Sequence, residues 1–163
     1  MRWRWGLTPL LLSAATVWAG YDANGVVLGA GEREVREAFP SVHCRPLEWQ
    51  SLAADRRCDG TRLDLGGVSV RITFYLRRDA LEAFDVRFGM RDLERFSAFL
   101  KQRYGAPRSD QERAVRRANK PERKLRRIEW EAKGERAVLT APLGERRAAL
   151  LVSRGSFEDE IYR

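Results

Sequence analysis

The sequence predicts an α+β fold in which short helices pack on an antiparallel β-sheet. Three observations support this fold class. Apolar and polar residues alternate through residues 68–88, apolar residues recur at helical spacing through residues 91–104, and shorter alternating runs follow between residues 128 and 152. Each half of the chain reads as a short helix followed by strands, so one interpretation is two α-β-β(-β) units in tandem.

The clearest predicted element is a β-hairpin in the middle of the chain. The polar residues 77–80 are short enough for its turn, although they lack the Asn-Gly or Asp-Gly pair that would fix the turn type. We therefore expect an antiparallel pair of strands at the centre of the domain. Its apolar face consists of Val68, Val70, Ile72, Phe74 and Leu76 from the first strand, and of Phe84, Val86 and Phe88 from the second.

Two helices are predicted, at residues 32–39 and 91–104. The first has acidic residues in its opening turn, where the helix dipole favours them, and Pro40 ends it. The second has Asp92 as a candidate N-cap, and Gly105 gives its stop signal. Its apolar stripe consists of Leu93, Phe96, Leu100 and Tyr104, with Phe99 beside it.

The remaining residues are assigned from weaker patterns. Residues 41–65 are predicted to form a polar loop that carries both cysteines, with Leu47, Trp49 and Leu52 as its inward anchors. Further strands are predicted at residues 128–132, 137–141 and 148–152. In the polar tail, the residues predicted to dock are Phe157, Ile161 and Tyr162.

The N-terminus has the three-part plan of a secretory signal peptide. Arg2 and Arg4 precede an apolar run of 13 residues, and the small residue Ala19 supplies a cleavage site. Such a run is shorter than the ~20 residues that a membrane-spanning helix needs. We expect residues 1–19 to be removed and residues 20–163 to form a single periplasmic or secreted domain. No cysteine follows the run, so no lipid anchor is predicted there.

The two cysteines, Cys44 and Cys58, are predicted to form a disulfide, because an even cysteine count in an exported chain favours one. Two alternatives are a reactive thiol pair and a metal site completed by His43. A closed zinc site usually has four ligands, and the chain has no second histidine, so no metal and no other cofactor are predicted.

Positive charge is concentrated in one segment. The chain has 31 basic and 23 acidic side chains; without residues 1–19 it keeps 29 and 23, a net charge of +6. Residues 108–127 hold nine basic and three acidic side chains, which is also +6, and we interpret them as a basic loop or helix. Either they are a solvated surface, or they bind an anionic partner. The candidate binding residues are Arg113, Arg116, Arg117, Lys120, Arg123, Lys124, Arg126 and Arg127.

The sequence gives little support for catalysis. His43 is the only histidine, and no motif of a serine hydrolase, a zinc protease or a dithiol oxidoreductase occurs. The mixed charges along the chain are typical of solvated surfaces. We therefore predict a protein without catalytic residues.

The segment LGAGEREVREAFP, the two cysteines and the hairpin VRITFYL resemble small exported proteins of Gram-negative bacteria. The plan is similar to that of the small lipoprotein of the outer-membrane β-barrel assembly machinery and of the β-lactamase inhibitory protein. Gly31 and Val35 match the opening of the first helix in those families, and YGAP at residues 104–107 repeats the helix end. The resemblance implies a scaffold for protein–protein contact.

The predicted function is therefore binding, to another envelope protein or to an anionic envelope component. Nucleic acid is not expected, because the chain is predicted to be exported and residues 108–127 have no aromatic side chains for stacking. No transmembrane segment is expected after signal cleavage. An inhibitor of a secreted hydrolase is a second hypothesis, for which an exposed aromatic cluster around Trp49 and Tyr75 would be the sign.

Overall fold

The computed structural model describes residues 20–116 and 121–163. The strands are β1 (Asp22–Ala23), β2 (Val26–Val27), β3 (His43–Pro46), β4 (Arg56–Leu65), β5 (Val68–Arg77), β6 (Ala80–Gly89), β7 (Ser109–Val115), β8 (Arg123–Ala132), β9 (Glu135–Pro142) and β10 (Arg147–Arg154). The α-helices are α1 (Glu32–Ala38), α2 (Leu93–Tyr104) and α3 (Phe157–Glu160), and a 3-10 turn at Met90–Asp92 leads into α2. No helix among the described residues is long and apolar enough to cross a membrane.

Eight of the strands form one antiparallel sheet in the order β3-β4-β5-β6-β10-β9-β8-β7. Strands β3 to β6 follow one another as neighbours, β7 to β10 do the same in reverse, and β6 pairs with β10 at the centre. One helix precedes each set of four strands, α1 the first and α2 the second. The α+β class is therefore confirmed as an antiparallel sheet with a few short helices.

The predicted central hairpin is confirmed. Its turn lies at Arg78 and Asp79, whose φ angles of 50° and 59° are both left-handed. Two consecutive left-handed residues match the twist of a two-residue hairpin, and aspartate accepts this conformation more readily than most residues. The Asp79 carboxylate also accepts a hydrogen bond from the backbone N–H of Glu32, at 2.9 Å, so the turn holds the start of α1.

The two faces of the sheet have different character. On one face, which we call the apolar face, Phe74 lies 5.2 Å from Phe39, and Phe88 lies 4.5 Å from Phe96 of α2, measured between ring centroids. The opposite, polar face carries the alternate residues of the same strands. Part of the polar face is covered by a second apolar cluster, in which Phe157 of α3 contacts Tyr75.

The predicted loop at residues 41–65 is wrong, because β3 and all of β4 lie within it. β3 is an edge strand of four residues, none of them fully buried, so it has no apolar alternation. In β4 the alternation is interrupted by a bulge between Gly60 and Leu63. Leu52 does not anchor the loop, since 54% of its surface is exposed, whereas Leu47 and Trp49 are partly buried.

The prediction of a basic loop or helix at residues 108–127 is also wrong for most of that segment. β7 covers Ser109–Val115, and β8 begins at Arg123. Every residue of β7 except Ser109 is exposed, because β7 is the outer edge of the sheet. An edge strand rich in charge resists pairing with other chains, and such a strand shows no period-two hydrophobic pattern.

The other predicted elements are observed. α2 and the strands at residues 128–132, 137–141 and 148–152 are present, with β8, β9 and β10 longer than predicted. Asp92 is the N-cap residue of α2, although its side chain makes no capping hydrogen bond. In the tail, Phe157 and Ile161 are buried as predicted, and Tyr162 remains 82% exposed.

Candidate functional site

The basic residues of segment 108–127 lie mostly in ion pairs. Among the described residues, Arg116 and Lys124 are exposed without a carboxylate partner, and Arg117 and Lys120 lie outside the described residues. Arg113 donates to the side-chain oxygen of Gln111 at 2.8 Å. The paired residues are Arg108 with Glu131, Arg123 with Glu145, Arg126 with Asp110 and Glu94, and Arg127 with Glu129.

The strongest of these contacts surrounds Asp110 at the start of β7. Arg126 donates to both oxygens of this carboxylate, at 3.0 and 3.1 Å, and Lys101 of α2 donates at 2.9 Å. These hydrogen bonds, chiefly those from Arg126, lower the pKa of Asp110 to about 2. The arrangement joins the edge strand to α2, which is a structural use of the basic residues.

Replacing Asp110 with asparagine is expected to lower the free energy of unfolding by about 1–2 kcal/mol at neutral pH, a figure reduced for partial exposure. A carboxylate whose pKa is lowered by folding stabilises the protein above its ordinary pKa, and that stabilisation is lost as the pH falls toward 2. Urea unfolding at several pH values checks this. The difference between wild type and D110N should shrink below pH 4; a constant difference would contradict the ion-pair explanation.

The disulfide predicted between Cys44 and Cys58 is present. The two residues lie directly opposite each other on β3 and β4, so the bridge holds the edge strand to its neighbour. The Glu32 carboxylate lies within 4.8 Å of both sulfur atoms, which brings three potential metal ligands together. Because the sulfur atoms are bonded to each other, neither offers the thiolate that a metal would require.

Five arginines meet in a cleft of about 510 Å³, which we call the arginine cleft. β4, β5, β6 and β10, which contribute to it, are consecutive neighbours in the sheet. The lining contains no acidic side chain. Its residues are Thr61, Arg62, Ser69, Val70, Arg71, Arg87, Phe88, Gly89, Arg146 and Arg147.

The centre of the arginine cleft places like charges side by side. Arg71 of β5 and Arg87 of β6 are directly opposite in the sheet register, and Arg147 is opposite Gly89, two residues farther along β6. Like charges in this position are destabilising. Arg87 donates to Asp85 at 2.9 Å, but among the described residues Arg71 and Arg147 have no carboxylate partner.

The side of the cleft formed by β4 has an unusual backbone. Arg62, in the bulge of β4, has a φ of 56°. A left-handed conformation is uncommon for a residue other than glycine, asparagine or aspartate, and it costs free energy. Such positions concentrate at functional sites, and here the strained residue brings a fifth guanidinium to the cleft.

An aromatic pair lies on the same side of the molecule as the polar face. Trp49 and Tyr162 are stacked, with their ring centroids 6.0 Å apart, and the indole N–H of Trp49 donates to the backbone carbonyl of Ile161 at 2.9 Å. The Arg57 guanidinium lies 5.8 Å from the Trp49 ring centre, within cation–π range. We call Trp49, Tyr162 and the exposed Leu52 the aromatic patch.

Asp85 connects the aromatic patch to the arginine cleft. Burial raises the pKa of the Asp85 carboxyl, and the hydrogen bond from Arg87 opposes this shift. Burial also raises the pKa of Tyr75, with smaller contributions from the charges of Asp85 and Tyr162. In the strand register, Asp85 lies between Arg87, which lines the cleft, and Ala83, which is opposite Tyr75, so the cleft and the cluster that holds Tyr75 and Trp49 are neighbours on the polar face.

The sequence pattern did not predict the arginine cleft. Outside residues 108–127, residues 20–163 have equal numbers of basic and acidic residues, so no other segment stands out by charge. The five arginines are brought together only by the strand register and by the pairing of β6 with β10. The sequence contained one indication of the cleft. Arg71 and Arg87 both occupy polar positions of the predicted hairpin, so they were expected on the same face.

No model of a known protein family matches this chain, and no curated protein or solved structure is significantly similar to it.

Proposed function

We propose that this chain is an exported, non-catalytic protein that binds another protein on the polar face of its sheet. The observation that carries the proposal is that the aromatic patch and the arginine cleft are neighbours on this face. Tryptophan, tyrosine and arginine are the residues that contribute most to protein interfaces. Tyr162 is 82% exposed and Arg71 has no carboxylate partner among the described residues, so both are available to a partner.

Export to the periplasm or beyond is part of the proposal. The Cys44–Cys58 disulfide supports it, because disulfides persist in oxidising compartments. The predicted signal peptide, residues 1–19, lies outside the described residues. The resemblance to small exported proteins implies a scaffold for protein contact, and the order of one helix and four antiparallel strands in each half agrees with that plan.

The non-catalytic role is supported by the position of His43. This side chain is exposed on the edge strand β3, and across the sheet register it lies opposite Asp59. The Asp59 carboxylate instead accepts a hydrogen bond from Thr73 at 2.9 Å and pairs with Arg57 at 3.1 Å. Among the described residues, no hydrogen bond orients His43 as a general base would need.

A cross-linking pull-down from envelope extract tests the proposal. The wild-type chain is expected to capture a partner that Tyr162→Ala and the double variant R71Q/R147Q lose, because these changes remove exposed contacts without disturbing the core. The matched control is R116Q/K124Q, which removes the same charge from segment 108–127. Retention of the partner by R71Q/R147Q and its loss by the control would move the binding site to segment 108–127.

Inhibition of a secreted hydrolase is a second candidate function. The exposed Tyr162 stacked on Trp49 favours it, since a rigid aromatic pair can fill a pocket of an enzyme. Tyr75, the other residue named for this role, is partly buried beneath Phe157 and does not join the exposed pair. If the captured partner is a hydrolase, its activity should fall with added wild-type protein but not with Tyr162→Ala.

A further inference from the structure

We infer that the arginine cleft binds an acidic segment of the partner protein, one that presents several carboxylates in a row. This inference rests on the proposed function and adds the chemistry of the partner. Five guanidinium groups line the cleft, and Asp85 outside the lining neutralises one of them. The uncompensated charge is therefore about +4, which a ligand with one negative charge would leave mostly unpaired.

The register of the sheet gives the shape of the ligand. Arg62, Arg71, Arg87 and Arg147 lie on β4, β5, β6 and β10, four consecutive strands. Neighbouring strands are about 4.8 Å apart, so the backbone positions of these arginines span about 14 Å across the sheet. An extended peptide advances about 3.3 Å per residue. A segment of four to five residues with repeated aspartate or glutamate side chains matches this length.

The pair of like charges at the centre of the cleft indicates that the ligand supplies a negative charge there. Arg71 and Arg87 are directly opposite, an arrangement that costs stability in the free protein, and the ion pair of Arg87 with Asp85 removes only part of that cost. A carboxylate placed between them relieves the repulsion and accepts hydrogen bonds from planar guanidinium groups, which match carboxylate geometry. Binding an acidic segment therefore offsets a cost that is already present in the fold.

The surroundings of the cleft fit the carboxylates of a protein segment better than the phosphate of a lipid. Among the described residues, the exposed large apolar side chains are Leu52, Val115 and Tyr162, and none of them lines the cleft. Acyl chains would thus find no exposed large apolar side chain at the cleft, where the lining residues Val70 and Phe88 are buried. The neighbouring aromatic patch instead has the residue types that anchor protein partners.

Titration calorimetry with acetylated, amidated hexaglutamate tests the inference, with hexaglutamine as the uncharged control peptide. Hexaglutamate is expected to bind the wild-type chain at low salt, and R71Q/R147Q should weaken binding about ten-fold, the effect of two exposed ion pairs together. R116Q/K124Q removes the same charge elsewhere and should keep wild-type affinity. Equal weakening by both double variants would overturn the inference, because it would show attraction by net charge alone.

Two further probes decide between sources of the anion. Inorganic pyrophosphate and vesicles containing phosphatidylglycerol are expected to bind at least ten-fold more weakly than hexaglutamate; tighter binding of either would overturn the inference in favour of a phosphate ligand. A failure of this inference is distinguishable from a failure of the proposed function. If R71Q/R147Q loses the captured partner but hexaglutamate does not bind, the binding surface stands and the acidic-segment chemistry is wrong.

Discussion

Replacing Trp130 with alanine is expected to lower the free energy of unfolding by about 3–5 kcal/mol, the usual cost of removing a buried tryptophan. Trp130 is 1% exposed and lies on β8. Its indole N–H donates to the backbone carbonyl of Gly105 at 2.9 Å, and the Tyr104 ring meets it edge-on with centroids 5.9 Å apart. The substitution therefore leaves a cavity where β8 meets the end of α2.

Replacing Trp130 should also weaken the polar contacts that its neighbour Tyr104 makes. The Tyr104 hydroxyl donates to the backbone carbonyl of Asp22 at 2.8 Å, and burial raises the pKa of Tyr104. Arg103 donates to both oxygens of the Asp22 carboxylate, at 2.6 and 2.9 Å. A displaced Tyr104 would lose its hydrogen bond to the carbonyl of the buried Asp22, which adds to the cavity cost.

Chemical denaturation of W130A, monitored by far-UV circular dichroism, measures this effect. Trp49→Ala is the matched comparison, because Trp49 is the other tryptophan in the described chain and is only partly buried. We expect it to cost less than half as much as W130A. A loss below about 1 kcal/mol for W130A would show that β8 and α2 do not share a core.

The parts of the fold that could be predicted from the sequence are those with one buried face. The hairpin β5–β6 and the helix α2 have strict periodicity because their apolar residues all face the same core. β3 and β7 gave no such signal, since both are edge strands with little or no burial. These two strands form because they pair with a neighbouring strand, and the local sequence pattern does not show that pairing.

The arginine cleft was even harder to predict from the sequence than the edge strands were. Charge counted along the chain indicated segment 108–127, yet Arg126 finds its acidic partners on β7 and on α2, and Arg127 pairs with Glu129 on its own strand. Arg71 and Arg147 are far apart in sequence and become neighbours of Arg87 only through strand pairing. The charge at one place on a sheet depends on which residues lie side by side on neighbouring strands, and the strand register decides this.

Reduction of the Cys44–Cys58 disulfide is expected to lower the free energy of unfolding by about 3 kcal/mol, the chain-entropy value for a loop of this size. The bridge spans 14 positions of sequence and joins β3, whose one neighbour among the described strands is β4, to the rest of the sheet. A loss of this size is a large fraction of the 5–15 kcal/mol that stabilises a typical domain. Thermal unfolding with and without reductant measures it.

The same reduction should also alter the aromatic patch, which is part of the proposed binding surface. The residues between β3 and β4 carry Trp49, whose indole holds the C-terminal residues through Ile161 and stacks on Tyr162. When the bridge is open, β3 loses its covalent attachment, and we expect the fluorescence of Trp49 to shift toward that of solvated indole. Partner capture should weaken along with it. The double variant C44A/C58A should show the same lower midpoint and no response to reductant. Equal midpoints for the oxidised and reduced wild type would mean that strand pairing alone holds β3, and the aromatic patch would then be independent of redox conditions.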